Sequence, residues 1–359
     1  MADAGVEQDS AGSASLSRRL RRGLAIVGVL LVAVYAVMLA TAGGAEDLLA
    51  RVTLEPSLLF LPVLSTFLSY ATMSLSYEGI VRAAGVAIRS RDMLRITFIA
   101  NVANYVLPSG GLSGFALRMV FFTRRGITAG KAVAISFTQT LLTNLMLIGF
   151  IGFGLVHLIS SRSLSGPTFV AAVALTVGLA IVLVISLLML YRRGIRARIL
   201  EFSARLCVRV LDATGYHQRF ARRAERLFLH LDEGMELFAL KPSAMIAPSA
   251  WIFLDWLFMI GTLYLGFYSV GYPIDFGVVT IAFSVSIVLA IVSFVPGGAG
   301  VLDGALAATF AGLGVSIKDS LLPIFLYRVC YFVVPALLSL LLARGAFADA
   351  DPSVTEDIL

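Results

Sequence analysis

Apolar runs of about twenty residues, long enough to cross the hydrocarbon core of a bilayer as a helix, recur along this chain. Six are unbroken: 24–42, 57–79, 131–159, 168–191, 247–270 and 320–342. Two more are interrupted. In 96–122 the run is cut by Asn101, Asn104 and the sequence LPSGG at 107–111, with Arg118 beyond. In 276–313 it is cut by VPGGAG at 295–300, with Asp303 beyond. The pieces 96–107 and 112–122 are each too short to span. Lipid cannot bond free peptide groups, so a Pro-Gly break at membrane depth must be shielded by protein or line a polar cavity. The expected fold is therefore an all-α polytopic membrane protein with six full transmembrane helices and two re-entrant helical hairpins.

The two broken regions also match each other. Pro108 is followed by Gly110 and Gly111, and Pro296 by Gly297 and Gly298. Equally far beyond each proline stand Gly126-Ile127-Thr128 and Gly314-Val315-Ser316, and a full span follows each. Both halves then read span, span, hairpin, span, with opposite orientation. That is an inverted-topology repeat, an arrangement whose ligand site lies near the midplane between the repeats. The expected boundaries are a cytoplasmic tail 1–23, a first membrane repeat 24–159, a second 160–342 and a cytoplasmic tail 343–359.

Composition moves the picture firmly into lipid. The chain is 59% hydrophobic and 14% charged, against about 25% charged in soluble domains. Arg18, Arg19, Arg21 and Arg22 precede a run that is long for a signal sequence, which reads as a retained signal anchor. Cys207 and Cys330 form no CxxC pair, and His157, His217 and His230 fit no zinc spacing. The histidines read as polar surface or interfacial residues. There is no GxxxxGK[ST] loop. No cofactor, metal or catalytic residue is expected.

The net charge of +6 reports topology before it reports nucleic acid, and no nucleic-acid partner is expected. With both termini in the cytoplasm and each hairpin returning to its own side, the Lys and Arg fall on cytoplasmic segments except Arg51, Arg162, Lys318, Arg118 and Arg328. A multi-pass protein of the cell (plasma) membrane is the expectation. Residues 192–241 carry eleven Lys or Arg against six acids, with apolar stripes at helical spacing. They read as two amphipathic helices lying on anionic inner-leaflet lipids, with a solvated linker as the alternative. A homo-oligomer is compatible with all of this.

The candidate chemistry is sparse and localised. The second half-helix of each hairpin starts near the membrane centre, where its N-terminus offers free N–H groups to an anion and the glycines allow close approach. Pro108, Gly110, Gly111, Pro296, Gly297, Gly298 and Gly300 are thus candidate binding residues; the alternative is that the glycines serve only helix packing. Arg118, Asp255, Asp303 and Arg328 are ionisable residues inside these elements, where an unpaired charge costs roughly 3 kcal/mol or more. Arg328 lies about 12 Å into its helix, near mid-depth. An arginine fork suits a phosphate; the two aspartates could be counter-ions or proton carriers.

At these residues the chain resembles a family. LPSGG with Gly114 and Arg118, PGGAGVLDG at 296–304, and Tyr327-Arg328 followed by Tyr331 and Pro335 look like the transmembrane region of lysylphosphatidylglycerol synthases. That region is shared with flippase-like bacterial and archaeal membrane proteins, and the resemblance extends over about 24–342. It implies movement of a lipid with a modified or phosphorylated headgroup between leaflets, and adds Tyr327 to the candidate binding residues. Full synthases carry a soluble aminoacyl-transferase domain after this region, whereas this chain ends at 359, 17 residues past its last span at 342. Many members have Glu in the first loop and after the second glycine motif; here Ser113 or Gly114 and Asp303 stand there.

The leading expectation is a lipid flippase, not an enzyme, in which Arg118 and Arg328 grip a lipid phosphate between rocking repeats. The rivals are a membrane-embedded headgroup transferase or hydrolase working through Asp255 and Asp303, a non-transporting scaffold for an envelope enzyme, and a small-solute transporter.

Overall fold

The computed structural model describes residues 29, 36, 56–106, 112–160, 166–199, 201–202, 205, 242–293, 295 and 298–346. Among these residues there is no strand. The helices are α1 (Phe60–Ala83), α2 (Ser90–Val106), α3 (Leu112–Thr123), α4 (Ala129–Ser160), α5 (Gly166–Tyr191), α6 (Ile246–Ser269), α7 (Phe276–Val292), α8 (Val301–Gly312), α9 (Ile317–Arg328) and α10 (Val334–Ala346). A π-helical turn at Val329–Val333 joins α9 to α10.

Three stretches among the described residues are long and apolar enough to cross a membrane: Ala129–Gly154, Pro242–Ser269 and Ile317–Ser339. They correspond to three of the six expected spans. Helix α1 covers the expected 57–79 but is less apolar than a simple span. Its buried face is polar, with Ser65, Thr66, Ser69, Thr72, Ser76 and Glu78 all withdrawn from the surface. The expected first span 24–42 lies almost wholly outside the described residues, as do the basic segment beyond 205, the N-terminal tail and the C-terminal tail beyond 346.

Each interrupted run is two short helices, as the breaks require: α2 with α3, and α7 with α8. Their ends are built alike. Gly126 (φ +76°) ends α3 and Gly314 (φ +87°) ends α8, both in the left-handed region open to glycine. In both, the N–H two residues past the cap-forming position turns back into the helix: Ile127 to the Phe122 carbonyl at 3.1 Å, and Val315 to the Phe310 carbonyl at 2.9 Å. Both side chains are buried. The same device closes α1 at Gly85 and α6 at Gly271, with Val86 and Tyr272 folding back to Val81 and Phe267.

Packing across the halves is reciprocal. Helix α1 runs antiparallel along α6, α4 lies on α7, and α10 lies on α2. Thus the long helix that follows each broken element packs on the outgoing half-helix of the other. Lipid supplies no hydrophobic drive between helices, so close approach of backbones and interhelical hydrogen bonds hold such pairs. A Cβ on Gly79 would stand 2.9 Å from Pro248, and one on Gly154 would stand 2.9 Å from Ile281. Ser65 donates to the Phe258 carbonyl at 2.7 Å, and Ser269 to that of Leu58 at 3.2 Å. His157, read from the sequence as interfacial, sits at the end of α4 with its Nε2 2.8 Å from Asp275 Oδ1.

Candidate functional site

The second broken element is organised around an ion pair. Asp303 is the third residue of α8 and is fully buried; Arg328 ends α9 with 2% exposure. Arg328 donates from Nε to Asp303 Oδ1 at 2.6 Å and from Nη2 to Oδ2 at 2.9 Å, the parallel fork that makes arginine–carboxylate pairs strong. Nη2 also reaches the Gly298 carbonyl at 2.9 Å. Asp303 Oδ2 in turn accepts the Gly300 N–H at 3.0 Å, capping the start of α8. Gly298 (φ +58°) and Gly300 (φ +79°) adopt left-handed conformations, and Gly298 sits against Ala290 of α7.

This changes two expectations. The Arg328 fork expected to take a phosphate is already on Asp303. The N–H of Gly300, expected to be open to a ligand, is occupied by the same carboxylate. Asp303 is the counter-ion of Arg328.

The first broken element has a different electrostatic character. Gly114, near the start of α3, donates to Asn104 Oδ1 at 2.6 Å, and Ser113 Oγ donates to the Ala103 carbonyl at 2.8 Å. Both bonds tie α3 to α2. One turn along, Arg118 Nη2 donates to Asn101 Oδ1 at 2.6 Å, and its guanidinium lies 4.7 Å from the centre of the Tyr77 ring. Arg118 is 8% exposed, and its Nε has no hydrogen-bond partner. Among the described residues no carboxylate pairs with it. Among the described residues, its hydrogen-bond and ring partners are thus a neutral amide and an aromatic face.

Between these elements lies a polar seam. Asp255 of α6 is 5% exposed and accepts from Ser69 Oγ of α1 at 2.5 Å. Ser69 Oγ is also 2.9 Å from the Tyr331 hydroxyl, with either oxygen able to donate. Tyr331 sits in the π-helical turn, its ring stacked 5.4 Å from that of Tyr327. Pro335 has no N–H, so the Tyr331 carbonyl lacks its usual helical donor, and the Tyr70 hydroxyl approaches it at 3.5 Å. Such widened turns are the usual consequence of a helix that must accommodate a missing donor or place a side chain. Tyr105 of α2 packs on Phe332 at 4.4 Å, and Phe332 lies 4.3 Å under the Arg328 guanidinium. Tyr105 also lies within electrostatic range of Asp255, Arg118 and Arg328.

Of the sequence candidates, Arg118, Asp255, Asp303, Tyr327, Arg328, Gly298 and Gly300 converge on this region. Pro108, Gly110, Gly111, Pro296 and Gly297 lie outside the described residues. The sequence reading missed Asn101 and Asn104 as ligands, taking them only as interruptions, and missed Ser69, Tyr70, Tyr77 and Tyr105. A signal for the α1 residues was present: Ser65, Ser69, Thr72 and Ser76 recur every three or four residues within an apolar run, marking the side turned from lipid. Among the described residues no group of three or more His, Cys, Asp or Glu could hold a metal ion.

Taken together, these features define a helical integral membrane protein with two interrupted helices and ionisable residues buried between them. The chain belongs to the family described as the lysylphosphatidylglycerol synthase TM region, whose model matches residues 23–339. It is 25% identical over 300 residues to a phosphatidylglycerol lysyltransferase of Bacillus subtilis, covering 81% of this chain and 30% of that protein. It is 33% identical over 96 residues to a phosphatidylglycerol lysyltransferase of Staphylococcus haemolyticus, covering 27% of this chain and 11% of that protein. It is 21% identical over 302 residues to a UPF0104 membrane protein of Methanothermobacter thermautotrophicus, covering 82% of this chain and 86% of that protein. The chain thus spans under a third of the length of the lysyltransferases it matches. The expectation that this is not an enzyme is overturned: the bacterial relatives bear the name of a transferase, so a lack of catalytic motifs in the sequence does not set the chain apart from enzymes.

Proposed function

We propose that this membrane region binds the anionic phosphate of a membrane lipid at Arg118 and moves the lipid between leaflets. The observation that carries this is the contrast between the two arginines. Arg328 is matched by a buried carboxylate, whereas Arg118 is buried on a neutral amide with an idle Nε–H. A buried guanidinium without an anion is costly, and a phosphodiester is the ligand that would relieve it bidentately. The substrate class is a phosphoglyceride with a phosphodiester headgroup, phosphatidylglycerol or its aminoacylated form, in keeping with the names of the relatives.

The mechanism follows from an inverted repeat, 24–159 against 160–342, in which α2/α3 and α7/α8 are re-entrant hairpins from opposite faces. The matched glycine caps and the reciprocal packing of α4 on α7 and α10 on α2 support this reading. Asn104 and Asp303 hold the two hairpins in shape, the headgroup sits between them against Tyr77 and Tyr105, and rocking of one repeat on the other alternates its access. The acyl chains remain in lipid throughout. The basic segment 192–241 would hold the protein to anionic lipid on the cytoplasmic side.

The test is translocation of fluorescent phosphatidylglycerol and lysylphosphatidylglycerol in vesicles containing the purified chain. Arg118→Gln should slow movement of both at least tenfold while Arg118→Lys keeps part of it. Equal rates for wild type and Arg118→Gln would sink the proposal.

A further inference from the structure

Four Arg and Asp side chains are buried in this constellation, and only two of them pair. Arg328 and Asp303 cancel. Arg118 and Asp255 remain, and neither bonds to the other: Arg118 is on Asn101 and Asp255 is on Ser69. The tyrosines Tyr77 and Tyr105 sense both charges and so lie within range of each. With Asp255 ionised, the empty site is neutral as a whole. If a lipid phosphate then binds at Arg118, the buried region acquires a net negative charge, which a low-dielectric interior resists. Neutrality returns when Asp255 takes a proton.

The surroundings of Asp255 are suited to this exchange. The ionisable groups near it on the packed elements are phenols: Tyr70 and Tyr77 of α1, Tyr105 of α2, Tyr327 of α9 and Tyr331 of the π-helical turn. No Lys, Arg or His among the described residues is bonded to it. Arg328 on the neighbouring α9 is on Asp303; Glu78 and Arg82 of α1 pair with each other; His157 of α4 is on Asp275, just before α7, with Lys131 at the opposite end of α4. A carboxyl group buried without a cation is cheaper neutral than charged.

The hydrogen bonds fit both forms. When Asp255 is ionised, Tyr331 O–H donates to Ser69 Oγ and Ser69 O–H donates to Asp255 Oδ1. When Asp255 carries the proton on Oδ1, it donates to Ser69 Oγ, and Ser69 donates to the Tyr331 hydroxyl oxygen. Two hydroxyl rotations interconvert the chains: Asp255 keeps its bond to Ser69 in both, and in the second the Tyr331 O–H turns away from Ser69 while its oxygen accepts. Ser69 thus links the carboxylate to Tyr331: a proton passed along them to Asp255 leaves Tyr331 to be reprotonated in turn, so the relay carries one proton for each one that Tyr331 takes up.

We infer that Asp255 is a proton-binding site, fed through Ser69 and Tyr331, that takes up one proton with each lipid anion bound at Arg118, so that lipid movement is coupled to a proton gradient. The coupling rests on the lipid-anion reading of Arg118; the proton site does not.

Two measurements on the full chain separate these. Infrared difference spectra between acid and alkaline buffer should show the carbonyl stretch of a protonated buried carboxyl in wild type and Asp303→Asn. The band should be absent from Asp255→Asn and shifted in Ser69→Ala, whose carboxyl has lost its hydrogen bond. No band dependent on residue 255 would overturn the proton site, whatever the lipid result. In vesicles of phosphatidylglycerol and phosphatidylcholine, one proton per lipid and one pH unit across the membrane should give about a tenfold asymmetry of probe phosphatidylglycerol at steady state. Asp255→Asn should abolish the asymmetry, and Tyr331→Phe should delay its build-up. Lipid movement that ignores the gradient in wild type would overturn the coupling and leave the transport reading standing. A band dependent on residue 255 without lipid movement would overturn the transport reading, and the coupling with it.

Discussion

Asn104 and Gly114 meet across the first broken element, the Gly114 N–H donating to Asn104 Oδ1 at 2.6 Å. A Cβ on Gly114 would overlap both that side chain and the Ala100 carbonyl oxygen. The bond and the close approach are one feature: α3 can start beside α2 because residue 114 has no side chain.

Gly114→Ala should therefore destabilise by about 1–3 kcal/mol, the usual cost of overpacking. Gly304 of α8 faces outward with open space around it, so Gly304→Ala should be neutral or stabilise by up to about 1 kcal/mol. Thermal unfolding of the two variants in detergent, followed by monodispersity, should separate them clearly. Equal losses would mean that the hairpin neck is not tightly packed.

The Arg328–Asp303 pair should behave as a unit. Removing one partner leaves a buried charge, so Arg328→Met or Asp303→Leu alone should cost about 3–5 kcal/mol. The double variant should recover much of that loss. A double-mutant cycle on unfolding temperature reads the coupling, and strictly additive losses would contradict the geometry.

Gly126 and Gly314 close α3 and α8 with the same left-handed cap. Alanine at either position should cost about 1–2 kcal/mol, since the left-handed region penalises a Cβ. Open space surrounds both, so strain should be the whole of it. Unfolding midpoints that differ widely between the two variants would argue against equivalent roles for the two caps.

Phosphatidylglycerol should raise the melting temperature of the wild type in a concentration-dependent way, as any ligand of the folded state does, while phosphatidylcholine serves as a comparison. Asn101→Leu takes the neutral partner from Arg118 and should lower stability by about 1–3 kcal/mol without added lipid. It should keep the response to phosphatidylglycerol. Arg118→Gln should lose that response. A shift undiminished in Arg118→Gln would place the anion elsewhere.

Several parts of this site were open to sequence reading. Arg118, Asp255, Asp303 and Arg328 stand out because a charge in an apolar run is expensive enough to need a reason. The two glycine-rich breaks were legible because a proline closely followed by two glycines is a far stronger helix breaker than either residue alone. Asn101 and Asn104 were visible yet misread, since an amide in an apolar run looks like an interruption until its partner is known. Ser69 and Tyr105 carried no individual signal; serine and tyrosine are ordinary in helices, and only their neighbours give them a role. The Gly85 and Gly271 caps went unnoticed because lone glycines after a helix are common.

Periodicity, hydropathy and charge by themselves determined that this chain is helical, that it belongs in lipid, and where its helices break. Those are local properties, set by what each residue costs in hydrocarbon and by what proline and glycine do to a backbone. Which charges neutralise each other is not local. Arg328 and Arg118 look alike along the chain, each a lone arginine in an apolar element. Only the approach of α8 to α9 gives Arg328 the Asp303 carboxylate, and only the approach of α3 to α2 leaves Arg118 on Asn101. Pairing depends on distances between segments far apart in sequence, and hydropathy carries no record of them.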